Sequence, residues 1–438
     1  MARFYLSEIA RMLEKDAPKE LEITGFEQDS QRIAPGHLFF AFKGEKVDGH
    51  DFLKSVAVQG GCAAIVSKDY AGEDFGLALI RVENVLHALH SLARQVHAQR
   101  HPRVVAVTGS VGKTTTKEFI ATLLQGQFTV AKTPGNANSQ VSMPLSILNA
   151  EGHEEVFVIE MGMSEKGEMQ RLVAIAPPEI SVVTPITYAH VVFFPEGIDG
   201  IAYEKAQILS HSDTRLGIVC TQAAAFPIVL QTGSCEKRIY GQEEYYLDSA
   251  DGLRIVEKGI PSPPLQLPFD ASHLRDNFLA AALVARAMGM SWSAIACQAL
   301  QLTLVPRRFE KVVRDGIVFI NDSYNANATS MKAALHNLPQ PEPGKKRIAV
   351  LGAMKELGEF TQTLHKEVGE CALACVDQLL CMGEECQVMC DLFVQHQREV
   401  EMLPDIASMK KRVFEVAEKG DVVLLKGSRP NRLWQVLE

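Results

Sequence analysis

A chain of 438 residues is too long for a single core and fits two or three domains. Its net charge of −9, with no evident basic face, argues against a nucleic-acid partner. No apolar run approaches the ~18 residues of a membrane span, and charges follow Met1 too early for a signal peptide. A cytoplasmic protein with reduced cysteines is expected.

Residues 1–101 mix helix and strand and carry no nucleotide motif. Within them, residues 29–36 (Asp-Ser-Gln-Arg-Ile-Ala-Pro-Gly) read as a strand end and turn. The apolar stretch 38–42 follows, then Gly44 and Asp48-Gly49-His50. His101-Pro102-Arg103 marks a boundary. Beyond it, an apolar strand at 104–107 runs into Thr108-Gly-Ser-Val-Gly-Lys-Thr-Thr-Thr-Lys. This is the chemistry of a phosphate cradle. Glycines let backbone N–H groups approach phosphate oxygens, a helix N-terminus favours negative charge, Lys113 supplies a cation and Thr114 a hydroxyl for Mg²⁺. Thr108, Gly109, Ser110, Val111, Gly112, Lys113, Thr114 and Thr115 are the candidate nucleotide contacts. Val107 stands where the general G-x-x-x-x-G-K-[ST] pattern has its first glycine.

Apolar runs at 156–159, 180–183 and 216–220 alternate with helical or loop segments, which predicts a mainly parallel sheet covered on both faces. Glu160 ends the first of these strands, where a carboxylate beside a P-loop is placed to hold Mg²⁺. His190 follows the second, and position alone leaves it equally a ligand or a structural residue. Asn136 and Asn138 suit a turn and are also counted as candidate substrate contacts. Lys205 falls in a helical segment, where spacing alone makes it a surface lysine. Residues 245–268 predict an antiparallel hairpin or edge, and 274–288 an alanine-rich helix.

A second boundary lies at 305–308. Strands are expected at 317–320, 347–351, 378–382 and 421–425, between helices, as a second doubly wound unit. The loop Asp322-Ser-Tyr-Asn-Ala-Asn327 follows the first of these strands. It can form part of a base or ribose pocket, and it can cap the next helix. Five of the nine cysteines lie between 371 and 390 without a C-x-x-C pair. Cys371 and Cys375, like Cys386 and Cys390, are one helical turn apart, as suits small buried residues rather than a metal site.

Together these stretches resemble the Mur ligase family of peptidoglycan biosynthesis over nearly the whole chain. The P-loop is similar to that family's, whose shorter glycine spacing accounts for Val107. Glu160-Met-Gly, Ala189-His190 and Glu204-Lys205-Ala-Gln-Ile-Leu follow in the family's order. Asn277 lies in a segment similar to its H-N-x-x-N-x-x-A-A element, and Arg308 and Asp322 match a later ATP-binding arginine and aspartate. Residues 322–327, 351–358 with His365, and Lys426-Gly-Ser-Arg429 resemble the member that adds D-alanyl-D-alanine. Residues 29–50 resemble a UDP-sugar domain. Four positions depart from the pattern. Gln31 and Arg307 replace an arginine and a glycine, Ala353 an aspartate, and Leu274 an asparagine.

The resemblance implies an α/β protein of three domains. These are an N-terminal UDP-sugar-binding domain (1–101), a central ATP-binding domain with a mostly parallel sheet (102–306) and a C-terminal Rossmann-like domain (307–438). It implies a monomeric ligase that joins D-Ala-D-Ala to UDP-N-acetylmuramoyl-tripeptide through an acyl phosphate, at the expense of ATP. Lys113, Glu160, His190 and Lys205 would be catalytic. Two Mg²⁺ ions would be held by Thr114, Glu160, His190 and a carbamylated Lys205. Asn277, Arg308 and Asp322 would touch the nucleotide. Asp29, Ser30, Asn136, Asn138, Tyr324, Asn325, Lys426, Ser428 and Arg429 would contact the substrates. A sibling ligase adding one amino acid, or a folylpolyglutamate synthase-like enzyme, would share the central domain. A regulatory protein with a dead P-loop would be expected to have lost Lys113, Glu160 or Lys205.

Overall fold

The structure, a computed structural model, describes residues 3–438. Three α/β layers follow one another along the chain. In the first, Gly25–Glu27, His37–Phe40, Ala63–Ser67 and Ala78–Val82 form a four-stranded parallel sheet, preceded by the antiparallel pair Phe4–Tyr5 and Glu22–Ile23. Helix Val85–Arg100 leaves this sheet. The Asn84 side chain caps it by accepting from the His87 N–H, and His101 stops it in the left-handed region at φ 52°. Val85, Ala88, Leu89, Leu92, Ala93 and Val96 are its buried positions, a stripe at i, i+3, i+4 spacing. That stripe packs on helix Ser142–Leu148 of the next layer.

The central sheet has six parallel strands in the order Glu236–Tyr240, Leu216–Cys220, Ile180–Val183, Arg103–Thr108, Val156–Glu160, Val130–Lys132. Its strands are unbroken apolar runs because helices cover both faces. Three strand starts are tied by charge. Glu179 accepts from Arg103 at 2.7 and 2.9 Å and from Arg215 at 2.5 Å. The Arg103 guanidinium, with Arg215, holds the Glu179 carboxyl down at about 2, against burial, which pushes it up. Helix Ser272–Ala287 lies along the P-loop helix Lys113–Leu124, its alanines allowing close approach, and Phe119 stacks on Phe269 at 5.1 Å. The expected hairpin region is a three-stranded antiparallel sheet, Tyr245–Asp248, Arg254–Glu257 and Ile260–Pro261.

The last sheet runs Glu310–Arg314, Ile317–Asn321, Val422–Lys426, Arg347–Gly352, Gln378–Met382, Glu399–Leu403. The first pair is antiparallel and the rest parallel. The edge strands Glu310–Arg314 and Glu399–Leu403 are not among the expected strands. Charged residues interrupt both, Glu, Lys and Arg in the first and two glutamates in the second, and both are largely part-exposed, so they lack the unbroken apolar run that marks a buried strand. One apolar cluster joins the layers, from Phe4 and Phe40 through Val158 and Phe278 to Leu351 and Phe393. Among the described residues, no helix is long and apolar enough to cross a membrane.

Candidate active site

The P-loop sits at the carboxyl end of the central sheet. Strand Arg103–Thr108 is flanked there by Val156–Glu160 and Ile180–Val183, and an open parallel sheet binds ligands at that end. Gly109 is required sterically, since at φ 141° a Cβ would lie 1.9 Å from the Thr184 hydroxyl. Gly112, at φ 86°, likewise leaves no room between itself and Asn277 Oδ1. The loop is locked to the neighbouring segment. Ser110 N–H donates to Pro185 O at 2.7 Å, and Thr187 N–H donates to the Ser110 hydroxyl at 2.9 Å. Thr116 N–H makes the first bond of the helix, to Gly112 O. The N–H groups of Lys113, Thr114 and Thr115 before it therefore point outward, as at any helix start.

Lys113 and Lys205 reach the centre of this loop together. Their ammonium groups donate to Gly109 O at 2.8 and 3.0 Å. Burial pushes Lys113 down. It pushes Lys205 well below the usual lysine range, and the neighbouring Lys113 charge pushes it further. Spacing alone made Lys205 a surface residue, whereas the family resemblance gave it a role in the site; it is 2% exposed. Its helix, Ile198–Ala206, buries Ile201, Ala202, Glu204, Lys205 and Ala206, so polar residues here do not mark a solvated face.

Glu160 is 1% exposed. Its Oε2 accepts from the Thr114 hydroxyl at 2.7 Å, and its Oε1 from Asn138 Nδ2 at 2.7 Å. The turn leading to Asn138 is pinned by Lys117, a fully buried lysine that donates to Thr133 O and Gly135 O at 2.6 Å each. Asn136, in the same turn, is exposed. The sequence assigned Lys117 no role, because a helical lysine gives no sign that its ammonium will be buried.

The C-terminal sheet reaches into this centre. Arg308 Nη2 donates to the Thr114 hydroxyl at 2.9 Å, and its guanidinium lies over the Tyr324 ring at 4.2 Å. Arg429 is exposed, 5.9 Å from the same ring. The 322–327 loop is pinned by Lys426, buried and donating to Asp322 Oδ2 at 2.5 Å and Asn325 O at 3.2 Å. The other Asp322 oxygen accepts from Phe309 N–H at 3.1 Å. Thus Lys426 and Asp322 shape the loop, leaving Asn325 exposed and Asn327 as the cap of helix Ala328–His336. Ser428 is buried, its hydroxyl accepting from Lys355 N–H at 3.1 Å.

His190, in the left-handed region at φ 63°, meets a residue the sequence did not single out. Its Nδ1 lies 2.5 Å from Glu356 Oε2. A carboxylate can only accept, so Nδ1 carries the proton and Nε2 keeps its lone pair. Burial lowers the imidazole pKa, Glu356 opposes this, and Lys205 and Lys113 add to the lowering. Tyr188 packs on Phe360 at 4.8 Å beside this contact. Asn277 lies under the loop and accepts from the Thr116 hydroxyl at 3.3 Å. Thr108 is buried, its hydroxyl donating to Met161 O at 2.8 Å, and Thr115 and Val111 flank the loop at its buried and open sides.

The first sheet carries a separate cavity of about 460 Å³, lined by Asp29, Ser30 and Gln31 on one side and by Phe39, Phe42 and Phe52 on the other. Asp29 caps a short turn by accepting from Gln31 N–H at 2.9 Å.

Three family models match in succession. They are the Mur ligase family catalytic domain over residues 22–97, the Mur ligase middle domain over 107–285 and the Mur ligase glutamate ligase domain over 307–429. The chain belongs to the Mur ligase family. It is 31% identical over 427 residues to the UDP-N-acetylmuramoyl-tripeptide–D-alanyl-D-alanine ligase of Bacillus subtilis, covering 95% of this chain and 93% of that one. The MurF ligase of Thermotoga maritima, solved in complex with ADP, superposes with a TM-score of 0.78 at 29% identity, covering 94% and 96% of the two chains. MurF from Acinetobacter baumannii superposes at 0.86 over the whole of this chain, at 23% identity, a likeness of fold.

Two departures from the Mur ligase pattern have visible accommodations. Arg307 takes a glycine's place at φ 64°, and its guanidinium stacks over Trp434 at 4.4 Å and pairs with Glu438 at 3.3 Å. Ala353 is fully buried, and a Cβ on Gly383 would come within 2.8 Å of its own, so the site is too tight for a carboxylate. Leu274 is buried in the core.

Proposed function

We propose that this Mur ligase joins D-alanyl-D-alanine to UDP-N-acetylmuramoyl-tripeptide with ATP, giving the UDP-pentapeptide, ADP and phosphate. The observation that carries the reading is the meeting at Thr114 of Glu160 from the central sheet and Arg308 from the C-terminal segment. It supports nucleotide chemistry between two layers of a chain that aligns over 95% of its length with an enzyme of that name.

The chemical problem is repulsion between a carboxylate and a polyanion, so positioning and charge neutralisation dominate. The tripeptide carboxylate attacks the γ-phosphorus, an O–P bond forms, and the bond to the bridging oxygen breaks to release ADP. The dipeptide amine then attacks the acyl carbonyl and loses its proton. The tetrahedral intermediate expels phosphate. Lys113 and the free N–H groups of the P-loop helix hold the β- and γ-phosphates. Arg308 reaches the same place from the other side of the nucleotide. The Phe-lined cavity of the first sheet suits a uracil ring, with Asp29 and Ser30 at its rim.

Mg²⁺, when bound, neutralises phosphate charge. Thr114 and Glu160 would hold one ion, since their oxygens are 2.7 Å apart, close to the roughly 2.9 Å cis edge of an octahedron with 2.0–2.1 Å bonds. His190 fits a second, with Nε2 free and Nδ1 fixed by a carboxylate as metal-binding imidazoles are. Lys205 as a cation does not fit a metal. Burial and the Lys113 charge, which lower its pKa, favour the neutral amine, and that form can add to CO₂ with loss of a proton and become an anionic carbamate that does. We place the reaction in the cytoplasm, and a single copy supplies every candidate contact, so a monomer suffices.

The test is product mass after incubation with ATP, UDP-tripeptide and D-Ala-D-Ala. A UDP-pentapeptide formed only when all three are present is expected. Extension of a UDP-dipeptide by one amino acid, or of a folate by glutamate, would overturn the assignment.

A further inference from the structure

The cysteine-rich stretch contains a feature that its spacing concealed. Cys386, Cys390 and Cys381 are buried, in keeping with a packing role. Cys371 and Cys375 are only half-buried, and a third soft donor lies against them. His336 ends helix Ala328–His336, and Cys375 ends helix Thr361–Cys375. The two helices pack together, bringing His336 Nε2 to 3.4 Å from Cys371 Sγ and His336 Nδ1 to 3.5 Å from Cys375 Sγ. Among the described residues, this is the set of three histidine, cysteine or acidic side chains whose donor atoms all lie within 4.8 Å of one another. The histidine lies 35 residues before the nearer cysteine, so no contiguous motif announces it.

We propose that His336, Cys371 and Cys375 form a binding site for one thiophilic divalent cation of the Zn²⁺ class, with the fourth position left to water. Tetrahedral Zn²⁺ with bonds of about 2.3 Å to sulfur and about 2.0–2.1 Å to nitrogen has an S···N edge of roughly 3.6 Å. The two observed separations are within about 0.2 Å of that edge. Each ring nitrogen faces one sulfur, so a small turn of the exposed imidazole lets one nitrogen serve both. Cysteines at i and i+4 share a helix face. Both helices end here, so their partial negative charge favours a cation. Burial, and the thiol of Cys375 beside it, push Cys371 up to about 12; a bound cation reverses that balance, because thiolates are its ligands. Lys332, whose charge acts on Cys371, is bonded to Glu367 at 2.9 Å.

The site lies at the far end of a helix whose other end closes the 322–327 loop. Nine residues of helix put it about 13 Å from Asn327, so it staples the helix and takes no part in phosphoryl transfer.

The experiment uses the full chain, stripped of metal and reduced with a phosphine. Co²⁺ is titrated in while the thiolate-to-cobalt charge-transfer band is followed, and Zn²⁺ is then added as competitor. One equivalent is expected to bind, displaced by one equivalent of Zn²⁺. C371S and C375S should each weaken binding about 100-fold, and H336A about 10-fold or more. C390S and C297S should leave it unchanged. H336A alters an exposed residue and keeps the readout if a cysteine variant fails to fold. Alkylation mapped by mass spectrometry supplies a second readout, with Zn²⁺ expected to protect Cys371 and Cys375 selectively. Failure to bind Co²⁺ or Zn²⁺, binding unaltered in H336A and C375S, or binding lost in C390S would overturn the proposal.

Discussion

Lys113 and Lys205 donate to the same acceptor, the carbonyl of Gly109, at 2.8 and 3.0 Å. Two ammonium groups on one oxygen, both buried, is an arrangement an isolated protein would not choose for stability. It is suited to a site built to receive negative charge, and each lysine then has a different task.

Lys205→Ala removes the amine proposed to carry the carbamate. Phosphate release is expected to fall at least about 10³-fold, and high formate or acetate, standing in for the missing carboxylate, to restore part of it. Full activity without any added anion would remove Lys205 from the mechanism.

Lys113→Ala acts on the γ-phosphate directly. A loss of about 10²–10³ in kcat is expected, with little change in KM for the tripeptide, because the contact strengthens as charge develops. Near-normal turnover in steady-state kinetics would contradict the P-loop assignment.

Glu356→Gln tests the contact with His190 across the two layers. The pair is part-exposed, so its contribution to stability is within about 1 kcal/mol, and the melting temperature should move by no more than roughly 2 °C. If Glu356 fixes the His190 tautomer, kcat should nevertheless fall about tenfold. Equal kinetics for variant and parent would show that the contact only docks the layers.

Glu179 provides the pH test of the fold. Its folded pKa is about 2, against 4.5 for the free side chain. A depressed acid contributes stability above the unfolded value and loses it as pH falls through the folded value, so the window is pH 4.5 to about 2. Glu179→Gln should lower stability at pH 7 by about 1 kcal/mol, after allowance for screening of a half-exposed group. In denaturant melts the difference should shrink through that window and vanish below it. A difference independent of pH would mean that Arg103 and Arg215 do not depress Glu179.

Much of this was legible in the sequence where a feature is local. The P-loop needs its glycines, strand and lysine side by side, and unbroken apolar runs marked the central parallel strands. Residues that act by meeting across the chain were not legible. By spacing, Lys117 and Lys205 read as ordinary helical lysines, and only the family resemblance pointed to Lys205, because burial of their ammonium groups depends on which face the fold covers. Glu356 gives no sign of itself until it meets His190, 166 residues away. His336 gives none until its helix packs on the one carrying Cys371. The edge strand Glu310–Arg314 was missed because half-exposed strands carry polar residues. Arg307 in a glycine's place was explicable only once its stacking on Trp434 was visible.

The central claim is that the γ-phosphoryl group passes to the peptide carboxylate and not to water. Tripeptide labelled with ¹⁸O in its terminal carboxylate tests it, with the released phosphate analysed by mass spectrometry. An acyl phosphate collapsing under attack by the dipeptide amine must leave one carboxylate oxygen on each phosphate, so one ¹⁸O per phosphate is predicted. Phosphate free of label, with its new oxygen drawn from solvent, would contradict the account.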